Sequence, residues 1–107
     1  MRSSAGLHLE TLFPDASTTW LVFHGEADLA TRDTLHDQLA SAARLDARLV
    51  HLHLADLTFA DAHAVMDLSD FADGARGRGA TVVACDPTAL LRRLAGLLGV
   101  ALALGVR

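Results

Sequence analysis

The sequence predicts an α/β fold: a mixed β-sheet packed by α-helices in the order ββαβαβα(β). Three observations carry that expectation. Two stretches near the start alternate apolar and polar residues, around Leu7, Leu9 and Leu12 and again from Thr18 to His24, with only the polar turn Pro14-Asp15-Ala16-Ser17 between them. Downstream, apolar residues recur at helical spacing in three separate segments, with short apolar runs rich in Leu, Val and Thr between them. A hairpin pairs its strands antiparallel, whereas a strand that returns to the same sheet through a helix runs parallel, so this order demands a mixed sheet.

The elements follow in turn. After Gly25, the segment Glu26-Ala27-Asp28-Leu29-Ala30-Thr31 leads into a helix with Leu35, Leu39 and Ala43 one above the other, capped by Asp28 or Thr31 and ending near Leu45-Asp46. Leu49 to Leu54 reads as a buried strand that runs through Ala55 to Phe59 into a turn. A helix from about Asp61 uses Val65, Leu68 and Ala72 as its apolar side, until Gly74, Gly77 and Gly79 interrupt it. Ala80 to Cys85 is a short strand with β-branched residues. Asp86-Pro87 then starts a helix, with Asp86 as cap and Pro87 in the first turn, whose face is lined by Leu90, Leu91, Leu94, Leu97 and Leu98. Ala101 to Leu104 suits a final strand, although its composition allows helix too.

The 107 residues make one domain, residues 1–107, large enough to remove about two-thirds of the unfolded surface from water. Thirteen acidic residues against nine Arg, with no Lys and no charge blocks, give a formal charge of −4 and argue against a nucleic-acid partner. The single cysteine, Cys85, excludes an internal disulfide and suits a reducing compartment. Met1 to Gly6 is too short and polar for a secretory signal. The most apolar stretch, Leu94 to Val106, is 13 residues long where a membrane-spanning helix needs about 20. A cytoplasmic location without membrane insertion is the expectation.

Two blocks of sequence carry a more specific message. Gly25-Glu26-Ala27-Asp28-Leu29-Ala30-Thr31 resembles the Gly-Glu-Leu-Asp-Leu-Ala-Thr signature of STAS domains, the family of bacterial anti-sigma factor antagonists. Leu52-His53-Leu54-Ala55-Asp56-Leu57-Thr58-Phe59-Ala60-Asp61-Ala62-His63-Ala64-Val65 is similar to the family's strand and turn, Leu-Asp-Leu-Ser-Gly-Val-Thr-Phe-Leu-Asp-Ser-Ser/Ala-Gly-Leu. Gly79 to Gly99 fits the strand and helix that follow, so the resemblance covers about residues 7–104. It implies a bacterial, STAS-like transcription regulator, non-enzymatic and without a cofactor, that docks on a protein partner. In the family that partner is classically an ATP-binding anti-sigma kinase, which phosphorylates the serine after the aspartate. Here that serine position is Ala62, which has no hydroxyl, and the family's glycine is Ala64, with His63 between them. Asp61 and Asp28 match. The implied partner-binding residues are Glu26, Asp28, Thr31, Thr58, Asp61, Ala62, His63, Ala64 and Met66. The chain ends soon after its last apolar run, where many relatives continue into another amphipathic helix. An uncovered apolar patch there would serve a partner or a second copy. A STAS subunit or scaffold of a larger complex, such as a transporter or sensor, is the alternative within the same class.

The remaining candidates are weighed against simpler roles. Asp61 and Asp28 serve as N-caps whether or not they also touch a partner. His63, at a helix start whose macrodipole disfavours imidazolium, has no Ser, Cys or second acid beside it in a catalytic pattern, and reads as a contact residue. Thr58 and Ser69 are the other nearby groups that phosphate would use if the switch had moved. His51 and His53 share one face of a strand, and His24 would join them if the second strand lies alongside, which gives the ligand count of a zinc site. No acidic residue or cysteine in a tight motif completes that set, so the expectation is a half-polar sheet face without metal. Cys85 reads as a small buried hydrophobe, Arg92-Arg93 as a solvated pair and Trp20 as core.

Overall fold

The structure, a computed structural model, describes residues 6–105; the polar residues Met1 to Ala5 and the last two positions, including Val106 at the end of the apolar run, lie outside them. Four strands form one sheet in the spatial order β1 (Leu7–Asp15), β2 (Thr18–Ala27), β3 (Leu49–Ala60), β4 (Thr81–Cys85). The first pair is antiparallel and the other two are parallel, as the hairpin and the helical crossovers require. The hairpin turn is made by Asp15, whose Oδ1 accepts the backbone N–H of Ser17 at 2.8 Å. That bond, with one from Thr18, holds the carboxyl below its ordinary 3.8.

A short 3₁₀ turn at Leu29–Thr31 leads into α1 (Arg32–Ala43), followed after β3 by α2 (Ala62–Gly77), and after β4 by α3 (Ala89–Leu97) and α4 (Ala101–Leu104). One face of the sheet, with Leu9, Leu21, Phe23, Leu52, Leu54 and Val82, joins Leu35, Leu39, Val65, Leu68, Leu91, Ala95 and Leu104 of the helices in a single core. The opposite face carries the alternate residues of each strand: His8, Glu10 and Leu12 on β1, Trp20, Val22 and His24 on β2, His51 and His53 on β3, and Val83 and Cys85 on β4. These side chains are half-buried or exposed. Trp20 belongs to this open face rather than to the core, because a position that alternates with Leu21 and Thr19 must point away from the helices.

Several boundaries differ from the sequence reading, each for a local reason. The third strand does not stop at Leu54: β3 continues to Ala60 and β2 to Ala27, because shifts in register at Val22/His24 and Gly25/Glu26 let the ladder run on. The buried positions then change spacing to Leu54, Leu57 and Ala60. Gly74 and Gly77 lie within α2, and the helix ends only where Gly79 adopts φ +95°, with Gly79 N–H donating to Arg76 O and Ala80 N–H to Ala75 O. Asp86 does not cap α3. It sits at φ +52°, and Thr88 takes the role, its Oγ1 accepting Leu91 N–H at 3.2 Å. The buried stripe of α3 is Leu91 and Ala95, flanked by Leu94 and Leu98, so Leu90 and Leu97 face solvent. Residues 101–104 are helical rather than a fifth strand, since Gly99 at φ +75° turns the chain back and Leu104 drops into the core. The Arg76 guanidinium ties that last turn down, donating to Ala103 O and, at 3.2 Å, to Val82 O.

Candidate functional site

The Glu26 to Thr31 loop and the start of α2 meet at the C-terminal end of the two central strands, β2 and β3. Their meeting begins with Gly25, whose φ of +104° and whose neighbour Gly6 O, 2.0 Å from where a Cβ would stand, admit no side chain. The chain then enters a closed capping box. Asp28 Oδ1 accepts Thr31 N–H at 3.1 Å, Thr31 Oγ1 accepts Asp28 N–H at 3.0 Å, and the Thr31 hydroxyl donates to Glu26 O at 2.8 Å. Glu26, Asp28 and Thr31 of the first block are thereby locked to one another.

Two bonds hold the second block against the first. Thr58 Oγ1 donates to Gly25 O at 3.0 Å, and Asp61 N–H donates to Ala27 O at 3.0 Å. Asp61 then caps α2, its Oδ1 accepting Ala64 N–H at 2.8 Å. His36 of α1 and Asp67 of α2 close the same end, Nε2 to Oδ2 at 2.8 Å. Between the two helices lies a cleft lined by Asp28, Leu29, Arg32, Asp61, His63 and Asp67.

Of the residues the resemblance assigned to a partner, Ala62, His63 and Met66 are exposed, and Glu26, Asp28 and Asp61 are half-buried at the rim. Thr31 and Ala64 face inward and shape the surface without being available to touch a partner. Thr58 is exposed but its hydroxyl is engaged, and Ser69 is buried. Leu29, 78% exposed beside the Asp28 cap, and Phe59, 41% exposed, fall within the same two blocks, and Arg32 outside them also lines the cleft. Leu29 was detectable as an apolar residue inside a capped polar turn. Phe59 was not, because its exposure depends on the register shifts of β3.

The histidines separate into two groups on the open sheet face. His24 does not join His51 and His53; it lies opposite Asp56 of β3, its Nε2–H donates to Glu10 Oε1 at 3.0 Å, and its ring stacks on His8. His51 and His53 instead lie beside Trp20 and Cys85. Burial, and secondarily the His51 imidazole, lowers His53 from its ordinary 6.5, against the opposing charge of Asp86. Burial likewise raises the Cys85 thiol.

No protein-family model and no curated protein sequence matches the chain. Its backbone does match solved structures. An anti-sigma factor antagonist from Mycobacterium paratuberculosis superposes with a TM-score of 0.78 at 17% identity, over 99% of this chain and 89% of that one. The STAS-domain antisigma-factor antagonist from Rhodobacter sphaeroides does so with 0.64 at 20% identity, over 78% and 90%. SLC26A9 gives 0.65 at 10% identity over 85% of this chain, which spans 17% of that protein. The chain therefore has the STAS fold, a mixed four-stranded sheet packed by helices.

Proposed function

We propose that this chain is a non-enzymatic regulatory binding module of the anti-sigma factor antagonist type, a single STAS-like domain acting in the cytoplasm, that lacks the usual phosphorylation switch. The observation that carries the reading is the convergence of both signature blocks at one end of the sheet, where Leu29 stays exposed at 78% beside Asp28 and Asp61 and Met66 at 38% beside Asp67, with Phe59 of β3 exposed at 41% opposite Glu26. Exposed apolar side chains within a polar rim suit a protein partner. The caps already fix the backbone that presents them, which lowers the ordering cost of binding. The switch position, Ala62, is the first residue of α2 and points to solvent without a hydroxyl. Neighbouring hydroxyls offer no ready substitute, since Thr58 already donates to Gly25 O and Ser69 is buried.

The partner is an ATP-binding anti-sigma kinase of the same host. Its affinity should be the same with and without ATP turnover, measured by titration calorimetry. Ala62→Glu, which puts a carboxylate beside Asp61 as a phosphate would, should weaken binding about tenfold or more while leaving the fold intact. Phosphate found by mass spectrometry on His63, Thr58 or Ser69, with matching loss of binding, would mean that the switch has moved, and the reading would be withdrawn. The likeness to SLC26A9 favours a second reading, a STAS scaffold within a larger transporter or sensor complex. Stable co-purification with such a complex, in place of a kinase, would select it.

A further inference from the structure

The parallel register of β3 and β4 assembles a group of soft ligands that lie far apart in the sequence. His51 and His53, two apart on one strand, point to the open face together. Across the ladder His53 is paired with Cys85 and His51 with Val83. One nitrogen of each imidazole and the Cys85 sulfur lie within 4.8 Å of one another, the only such convergence of three His, Cys, Asp or Glu groups among the described residues. All three side chains are half-buried. We propose that His51, His53 and Cys85 bind one borderline-soft transition-metal ion of the zinc class, with a fourth coordination position open to solvent.

Five features support the site. Two imidazoles and a thiolate are the donors that Zn²⁺ and its neighbours prefer, whereas Mg²⁺ and Ca²⁺ require oxygen. Bond lengths of about 2.0–2.3 Å place tetrahedral ligands about 3.3–3.6 Å apart, so side-chain rotation on a fixed sheet closes the present gaps. His53 Nε2 is buried with no hydrogen-bond partner among the described residues, a costly state that a metal bond would relieve. Trp20 walls the site: its ring lies 6.1 Å from His51 at an interplanar angle of 12° and 4.8 Å from His53 at 52°. Asp86, beside Cys85, adds a negative charge that favours a bound cation. Bound metal would clip the edge strand β4 to β3 on the side the helices leave uncovered.

This proposal is independent of the proposed docking surface, which lies at the C-terminal end of β2 and β3 and uses none of these residues. The test titrates Co²⁺ anaerobically into the reduced, metal-free, untagged full chain. One equivalent should bind, with a thiolate-to-cobalt charge-transfer band in the near ultraviolet and quenching of Trp20, the only tryptophan in the chain. Zn²⁺ should displace it. Cys85→Ser should abolish the band, and His53→Gln and the more conservative surface change His51→Gln should each weaken binding about tenfold or more. His24→Gln, which alters the separate His8–Glu10 cluster, should leave binding unchanged. Circular dichroism of each variant guards against unfolding, and His51→Gln serves if a change at His53 or Cys85 perturbs the sheet. No saturable binding, unaltered affinity in folded Cys85→Ser and His51→Gln, unquenched Trp20, or loss of binding in His24→Gln would each overturn the site.

Discussion

Asp61 holds two elements at once, since its backbone N–H donates to Ala27 O while its carboxylate caps α2 at Ala64 N–H. Asp61→Ala keeps the first bond and loses the second, so unfolding in denaturant should show a loss of about 0.5–2 kcal/mol. If the carboxylate also faces the partner, affinity should fall further than that loss explains; equal affinity well below the melting temperature would leave Asp61 as a cap alone. His53 makes a second residue-scale prediction. Its folded value lies below the ordinary 6.5, so between the two values the unfolded chain binds more protons. Stability from this group is therefore present above about 6.5 and is lost as pH falls through that window. The groups that face it pull in opposite senses, His51 with the shift and Asp86 against it. Denaturation in EDTA at pH 7.5 and 5.5 should show parent protein losing more stability than His53→Gln. The same loss in both would assign the slope to other groups. The Asp15 effect belongs below its ordinary 3.8 and does not overlap.

Among the elements, α3 offers the sharpest test of a boundary. Asp86-Pro87 looks like a cap followed by a first-turn proline, but the chain leaves β4 through Asp86 at φ +52° and delays the helix to Ala89, leaving Thr88 as its cap. Thr88→Ala should cost about 1 kcal/mol, and Asp86→Gly should be neutral or stabilising because glycine accepts the left-handed conformation without strain. A large loss at Asp86 with none at Thr88 would restore the simpler boundary. β3 is the more consequential element. Its first half alternates, which made Val50, Leu52 and Leu54 legible as core and His51 and His53 as their opposites. Its second half follows the shifted register against β2, so neither the strand's extension to Ala60 nor the exposure of Phe59 could be read from periodicity.

At the scale of the whole molecule, the C-terminal segment behaves as part of the core rather than as a fringe. Leu104 is fully buried among α2, α3 and β4 residues, and Arg76 anchors the carbonyl of Ala103. Leu104→Ala should cost about 2–5 kcal/mol, as for other filled core positions, and Arg76→Ala about 1.5–3 kcal/mol through two lost carbonyl bonds. Thermal melts that barely respond to either would show that residues 101–105 dock weakly. Among the described residues no helix is long and apolar enough to cross a membrane, consistent with the short final run of the sequence.

The sequence alone determined what depends on neighbours in the chain: the type of every strand and helix up to α3, the parallel crossovers, the cap at Asp61, and the two blocks by which the STAS fold was recognisable. These follow from side-chain spacing and local hydrogen-bond chemistry, which act within a turn or two. Tertiary structure decided everything that depends on which residues face each other across strands. It set the bulged register that extends β3, turned Thr31 and Ala64 inward, exposed Leu29 and Phe59 together, and placed His24 with Glu10 rather than with His51 and His53. It also set Cys85 opposite His53, where the sequence had offered no cysteine to complete the histidines. Alternation in β3 and β4 decides which residues face the core, but which residue of β4 lies opposite His53 depends on how the whole α2 crossover packs back on the sheet, at a range that neighbours in the chain do not set.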